Sequence, residues 1–408
     1  MGCRKGDWRE LKVLVMSDAH IFKCDSNNTY LCPTAVHGYE FWKRYLEVFD
    51  EVHVVARVKH LDAIDEKTNI RADGPGISFI ELPFIRGARG YLKHFFSLRR
   101  ILKQVISDEE CGIFRLPSLP TFMLLDQFKR YRRPYAIEVI IDPKDGYRYN
   151  KIAQFIMTRR LKKECYRANG VSYVTRDFLE KKYPSYSIVH GEDERHFDSY
   201  YSSINLQESF FFHARSYGDF NDKPLRLIHV ASAINSDIKG HTTLLKTVKK
   251  LKDENVSVTL SCVGDGDLRP HYEAMAAELG LSDIVSFKGL FSKKEELRDL
   301  LINSDMVVFP TQAEGLPRAL IEAMAVGLPC LSTPVNGIPE LLPAEYMFDP
   351  FDVNGFAEKI KSLRSNPAEM EKMSEENIRK AEEYVNSKLT LRRNEFYRKL
   401  ANLAAKKQ

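Results

Sequence analysis

Short apolar runs alternate with longer amphipathic stretches from Leu11 onward. "LKVLVMS" (11–17) reads as a buried strand, "TAVHGYEFWKRYLEVF" (34–49) as a helix and "EVHVVAR" (51–57) as the next strand. Further β-rich runs follow in "ISFIELP", "CGIFRLP", "YAIEVII" and "VSYVT", with helical stretches between most of them. The alternation lapses over residues 191–224, which are polar and aromatic and end in Asn-Asp-Lys-Pro. It then restarts: "LRLIHVAS" (225–232), "VSVTLSCV" (256–263), "DIVSFKG" (283–289), "DMVVFP" (305–310) and "LPCLSTP" (328–334) read as strands. Helices between them start near Lys239, Asp267, Lys293 and Pro317, and the end of the chain is helical and charged.

Strand and helix in alternation imply mainly parallel sheets covered on both faces, an α/β class. The length of 408 residues predicts two such cores rather than one. The boundaries that follow are an N-terminal domain over 1–190, a linker over 191–224, a second domain over 225–385 and a C-terminal helix over 386–408. Two doubly wound domains leave a cleft between them, and ligands of such sheets bind at the carboxyl ends of the strands.

Composition narrows the class. The chain is 44% hydrophobic and 29% charged, ordinary values for a soluble globular protein. No apolar run has the length of a membrane span. The start "MGCRKGDWRELKVLVM" lacks a signal peptide's apolar segment, and Gly6 stands where a myristoylation signal has Ser or Thr, so a cytoplasmic location is expected. Seven scattered cysteines with no CxxC argue for buried reduced thiols rather than disulfides or a zinc site.

The candidate chemistry lies in "FPTQAEGLPRALIEAMAVGLPCLSTPVNGIPELL" (309–342). Glu314 falls in a loop after a buried strand, and Glu322 falls on the second turn of a helix opening at Pro317. The helix start presents free N–H groups and a positive end to the same loop, a setting for phosphate, and Gly315 lets the backbone approach a ligand. Carboxylates on either side suit paired sugar hydroxyls. Spacing alone equally fits an outer helix face with an Arg318–Glu322 ion pair.

The segment resembles the signature of glycosyltransferase family 4 on the GT-B fold, of a bacterial polysaccharide-type branch. The matching elements are E-x7-E at Glu314 and Glu322, "EAMAVGLP" (322–329) and "NGIPELL" (336–342). The resemblance implies two Rossmann-like domains facing across a cleft, with the C-terminal helix returning to the first. It implies a retaining transfer of a hexose-type sugar from a UDP- or GDP-type donor to a hydroxyl. Glu314 would contact the donor sugar, Glu322 the ribose, and Gly315, Leu316 and Pro317 the sugar and phosphate. Lys239, in a Lys-Gly pair opening a helix, would neutralise the leaving diphosphate. The arginine usual before that lysine is missing; Ser232-Ala233 stand there, and Arg318 is one replacement. "CVGDGDLRP" and "VSFKGLFSKKEEL" make Gly264, Lys288 and Gly289 nucleotide neighbours.

The first domain departs more from the family. In place of a glycine-rich loop after strand one stands "SDAHIFKCDSNNTYLCP" (17–33), while "YAIEVIIDPKD" (135–145) and "FWKRYLEVFDEV" (41–52) resemble one branch. Asp18, Arg115, Glu138 and Asp142 are the acceptor-side candidates, Glu138 and Asp142 equally fitting buried turn or capping carboxylates. The stretch 86–104, "RGARGYLKHFFSLRRILKQ", carries six Lys and Arg and no acid. It fits peripheral attachment to an anionic membrane at the inner face, or a helix packed on the sheet with a solvated basic face. The acceptor is expected to be a saccharide or lipid-linked. No metal cluster is apparent, and no essential cofactor or metal is expected. Nucleic-acid binding lacks a motif, and no G-x-G-x-x-G follows the first strand. A sugar-nucleotide epimerase and an inactive transferase-like partner protein are the rival readings.

Overall fold

A computed structural model describes residues 10–33, 37–64, 69–85, 87–106, 108–220, 223–291 and 293–406. Met1, Gly2, Cys3, Gly6, Arg86, Asn221, Asp222 and residues 34–36 lie outside the described residues. The chain forms two compact units. The first comprises residues 1–174, 179–201 and 391–408, and the second residues 175–178 and 202–390.

Unit 1 holds the strands β1 (Lys12–Cys24), β2 (Thr29–Cys32), β3 (Glu51–Leu61), β4 (Ile70–Arg71), β5 (Ile77–Pro83), β6 (Cys111–Leu116), β7 (Tyr135–Val139), β8 (Gly170–Tyr173) and β9 (Phe197–Tyr200). Seven run parallel in the order β5-β3-β1-β6-β7-β8-β9. The central strands are buried on both faces, as parallel sheets demand: Val13 to Met16 and all of β6 and β7 are buried. Its helices are α1 (Tyr39–Trp42), α2 (Gly87–Gln104), α3 (Leu119–Phe128), α4 (Pro143–Gly146), α5 (Lys151–Arg167), α6 (Phe178–Lys182) and α7 (Tyr186–His190). The crossovers through α2, α3 and α5 all advance toward β9. Right-handed connections therefore place these helices in one layer on one face. The α3 helix starts where Ser118 accepts from the Thr121 N–H at 3.3 Å.

Three features differ from the sequence pattern. The first strand runs to Cys24 and turns back into antiparallel β2, so the expected loop over 17–33 is a β-hairpin. A register shift between Met16 and His20 interrupts β1 at Asp18. Of the helix expected over 34–49, the described residues form only α1 and one 3-10 turn, with Phe41, Trp42 and Tyr45 buried. The stretch expected as a linker is divided between the units. It contains β9 in unit 1, and from Ser202 onward it packs on unit 2.

Unit 2 holds β10 (Leu225–Ala233), β11 (Val258–Asp265), β12 (Val285–Gly289), β13 (Met306–Val308) and β14 (Cys330–Leu331). They are parallel in the order β12-β11-β10-β13-β14. Its helices are α8 (His241–Asp253), α9 (Arg269–Glu278), α10 (Lys294–Ile302), α11 (Arg318–Ala325), α12 (Val353–Arg364), α13 (Pro367–Ala381) and α14 (Asn386–Lys406), the last crossing into unit 1 at Leu391. Leu227, Leu244, Val248, Leu260, Val308 and Phe356 lie in one core cluster. Arg215 holds the 202–224 arm in place: it donates to the carbonyls of Val326 (2.9 Å), Ser304 (2.6 Å) and Leu301 (3.0 Å), where α10 and α11 end. The six described cysteines are all buried.

Candidate functional site

The chain builds β10, β11 and β12 in one direction and then returns to the far side of β10 with β13. Loops leaving the carboxyl ends of β10 and β13 therefore diverge at a topological switch point, the place where open α/β sheets bind ligands. The β10 loop carries Lys239 and the β13 loop carries Glu314. The Lys239 ammonium is ion-paired directly with the Glu314 carboxylate, both partly exposed.

Backbone contacts hold the two loops together. Gln312 donates its N–H to the Ile238 carbonyl (2.7 Å) and its side-chain amide to that of Asp237 (2.9 Å), while the Thr311 hydroxyl reaches the Ile238 carbonyl at 3.2 Å. Gly240 ends the loop at φ +78, and a Cβ there would stand 2.0 Å from the Pro310 carbonyl oxygen. Only glycine permits this close approach. Asp237 starts α8 by accepting from the Thr242 N–H at 3.0 Å and from the Tyr272 hydroxyl at 3.0 Å.

The floor of this junction is a pair of histidines that sequence reasoning missed. The His229 Nδ1 donates to the Val308 carbonyl at 3.0 Å. Its ring meets that of His241 edge-on at 4.6 Å, and His241 stacks on Tyr272 at 4.7 Å. Burial drives His229 well below the usual histidine pKa and His241 down to about 4, so both are neutral. The His241 nitrogens and the His229 Nε2 have no hydrogen-bond partner among the described residues. Both imidazoles thus act as packing groups beneath the first turn of α8. Their polar type inside an apolar strand and beside Lys-Gly was the available signal.

Pro317 caps α11 rather than opening it, and Arg318 is the first helical residue. The turn after β14 holds the loop from the other side. The Asn336 amide donates to the Glu314 carbonyl, and the Gly337 N–H donates to that of Gly315 at 3.2 Å. Leu316 and Pro317 are buried, while Gly315 keeps part of its surface accessible. The Glu340 carboxylate accepts from the N–H groups of Arg176 (2.6 Å), Asp177 (3.0 Å) and Phe178 (3.0 Å), which anchors the 175–178 segment to this turn.

Glu322 is neither a solvated carboxylate nor hydrogen-bonded to Arg318. It keeps some accessible surface but lies among protein atoms that raise its pKa by burial, against the through-space pull of Arg318 and Lys294. Lys294 was not anticipated as a partner. Its ammonium donates to the Asn205 carbonyl at 2.7 Å. Burial holds it below its ordinary pKa, although the residue as a whole is exposed, and Glu322 opposes that shift.

Ser232 is exposed at the end of β10, and Lys288 is exposed on β12. Gly289 ends β12 at φ +73. Gly264 serves packing: a Cβ on it would lie 1.8 Å from the Ala231 carbonyl oxygen, so the β11 loop closes directly onto β10.

The acceptor-side candidates in unit 1 separate into two groups. Glu138 and Arg115 form a buried knot rather than a binding surface. The Glu138 carboxylate accepts from Arg115 (2.8 Å), Arg44 (3.4 Å), Tyr45 (3.2 Å), Tyr201 (3.1 Å) and Tyr397 (2.8 Å), and is 4% exposed. Burial pushes its pKa up, and Arg115 and Arg44 outweigh that and hold it below the ordinary carboxylate value. With so many donors in place, no room remains for a ligand hydroxyl. Tyr397 fastens α14 to this knot, stacked on Tyr45 at 4.9 Å. Asp142 is likewise a buried cap: it accepts from the Lys144 N–H (3.0 Å) and the Tyr183 hydroxyl (2.6 Å) and pairs with Lys182. Asp18 remains accessible. It pairs with Arg57 at 2.6 Å, and burial raises its pKa against that charge.

Residues 213–381 match the family model described as Glycosyl transferases group 1. The chain is 26% identical over 323 residues to Protein CapJ of Staphylococcus aureus, covering 78% of each chain. It is 34% identical over 126 residues to the Amylovoran biosynthesis glycosyltransferase AmsK of Erwinia amylovora, covering 29% of this chain and 30% of that one. The crystal structure of Anabaena Alr3699/HepE in complex with UDP and glucose is similar at a TM-score of 0.64 and 14% identity, over 94% of this chain and 98% of that one. The chain thus has the GT-B fold, and its residues 213–381 are similar to the Glycosyl transferases group 1 family.

Proposed function

We propose that the protein is a retaining glycosyltransferase of family 4 type. It moves a hexose-type sugar from a UDP- or GDP-type donor to a hydroxyl of a saccharide or lipid-linked acceptor, in cell-surface polysaccharide or glycolipid assembly. The observation that carries this reading is the Lys239–Glu314 pair at the switch point of unit 2, beside the start of α11. The biosynthetic setting rests on the likeness to AmsK, and the donor type on the likeness to HepE.

In this reading the donor's diphosphate sits against the α11 start and the loop amides, and Glu322 accepts from the ribose hydroxyls. Glu314 turns from Lys239 to the sugar hydroxyls, which frees the ammonium for the phosphate. The bond from the anomeric carbon to phosphate oxygen breaks, its electron pair leaving with the diphosphate. Lys239 and the helix end stabilise that charge as it forms. The acceptor oxygen bonds the same face of the anomeric carbon, and its proton passes to the leaving phosphate oxygen. Asp18 is the acceptor-side residue that stays accessible. The exposed Lys93, Phe96, Arg99 and Arg100 of α2 support peripheral attachment to an anionic membrane.

The test is a thermal-shift screen of UDP, GDP and ADP and their sugar conjugates, followed by transfer assays with the stabilising donors and NMR of the product anomer. A stabilising UDP- or GDP-sugar and a product of retained configuration are expected. Conversion of the donor alone to its epimer, or inversion in the product, would overturn the reading.

A further inference from the structure

The α5 helix has no part in the donor site, yet its surface is built for contact. Its inner stripe is Met157, Leu161, Glu164 and Cys165, spaced as one helix face. The apolar residues of its first turns point elsewhere. Ile152 is 74% exposed, Phe155 61% and Ile156 52%, and the preceding Tyr149 is 87% exposed. A cluster of large apolar side chains left in water marks an interaction site.

The same helix is strongly basic. Lys151, Arg159, Arg160, Lys162, Lys163 and Arg167 stand against a single acid, Glu164. Between α5 and α3 opens a cleft of about 500 Å³, lined by five cations and two carboxylates. Both carboxylates are engaged: Glu164 by Lys129 at 2.8 Å and Asp126 by Arg160 at 2.5 Å. Arg159, Lys163 and Arg167 have no carboxylate partner among the described residues. Arg159 instead lies over the Phe155 ring, 5.2 Å from its centre, which joins the cleft to the apolar patch.

We infer that α5 seats unit 1 on an anionic lipid surface. Tyr149, Ile152, Phe155 and Ile156 enter the interface, and the Arg159–Lys163–Arg167 cleft takes a lipid phosphate. Charge selects this occupant over a second copy of the chain, since pairing two such faces would oppose like charges. The α2 helix, in the same layer, adds a further basic and aromatic surface. This inference rests on the peripheral attachment proposed above and assigns it to α5; it needs neither donor nor acceptor, so loss of flotation and loss of transfer are read separately.

The test is flotation of the full chain with phosphatidylcholine vesicles and with mixed phosphatidylcholine–phosphatidylglycerol vesicles, without donor. Wild type is expected to float with the anionic vesicles only, and less as salt rises. Phe155→Ser/Ile156→Ser and Lys163→Glu/Arg167→Glu should each lower partition on the order of tenfold or more. All four residues are exposed, so melting temperatures should hold. Lys372→Glu, on α13, should float as wild type does. The inference is overturned if neutral vesicles bind equally or if the double variants float like wild type. It is also overturned if Phe155→Ser/Ile156→Ser dissolves a dimer of a chain that never floats. Thermal stabilisation by inorganic phosphate through Lys163 and Arg167, without flotation, would assign the cleft to a free anion instead.

Discussion

Replacing Glu138 should unfasten unit 1 and leave the candidate site of unit 2 intact. The carboxylate neutralises two buried guanidinium groups, Arg115 and Arg44, and accepts from three buried tyrosine hydroxyls. Glu138→Ala leaves both charges unpaired, a loss of about 3–5 kcal/mol for a broken buried pair. For a unit of this size each kcal/mol moves the melting temperature by about 2–4 °C, so a fall of roughly 6–20 °C is expected. Tyr397→Phe removes one hydroxyl and should cost only about 1 kcal/mol. Glu138→Gln, which keeps the shape but not the charge, should fall between them. The pH dependence has a definite sign. Glu138 has a folded pKa below its unfolded value of 4.5, so its stabilisation is complete above that pH. It fades as the pH falls through the folded pKa, and the gap between wild type and Glu138→Gln should close there. Calorimetry at several pH values measures this, with hydrogen exchange over residues 391–404 reporting the release of α14. Equal melting temperatures for Glu138→Ala and wild type would refute the reasoning.

Three further outcomes follow from unit 2. His241 is held neutral by burial with a pKa of about 4, against 6.5 when unfolded. The unfolded chain therefore binds the extra proton first, and unit 2 should lose about 3 kcal/mol as pH falls from about 6.5 to 4; His241→Phe should flatten that decline in pH-dependent denaturation. Gly240→Ala would drive a Cβ into the Pro310 carbonyl and force a left-handed backbone on alanine. It should lower unit 2's stability by more than about 1 kcal/mol and reduce transfer by displacing Lys239, while calorimetry shows unit 1 melting unchanged. Glu322→Ala should raise the donor KM and the Kd for the free nucleotide by roughly 10–100-fold, read by calorimetric titration.

Much of this architecture is written in local pattern. The run "ISFIELP" became β5 residue for residue, and the helix starts near Lys293 and Pro317 fall within a residue of α10 and α11. Periodicity works there because burial on two faces leaves an unbroken apolar run. It fails where long-range packing decides. The turn at 25–28 that folds β2 back on β1 gives no apolar signal, and β9, "FDSY", is too short and polar to read as a strand. The Glu314–Lys239 pair joins residues from two loops that meet only because β13 returns beside β10. Spacing could place each residue at a strand end but not in contact. Glu138 shows the opposite difficulty. A carboxylate near a strand end reads the same whether it meets a ligand or, as here, arginines and tyrosines from the 3-10 turn after α1, from β6, from the residue after β9 and from α14. The Lys294–Glu322 interaction had no local signal, since both sit in ordinary helical sequence.

The central claim is that the pair at the switch point performs sugar transfer. Its most direct measurement is the single-turnover rate of sugar transfer from the stabilising donor by wild type, Lys239→Ala and Glu314→Ala, with folding verified by melting temperature. Loss of the charge-stabilising lysine should slow transfer about 10²–10³-fold, and loss of Glu314 should slow it strongly. Wild-type rates in both folded variants would contradict the account.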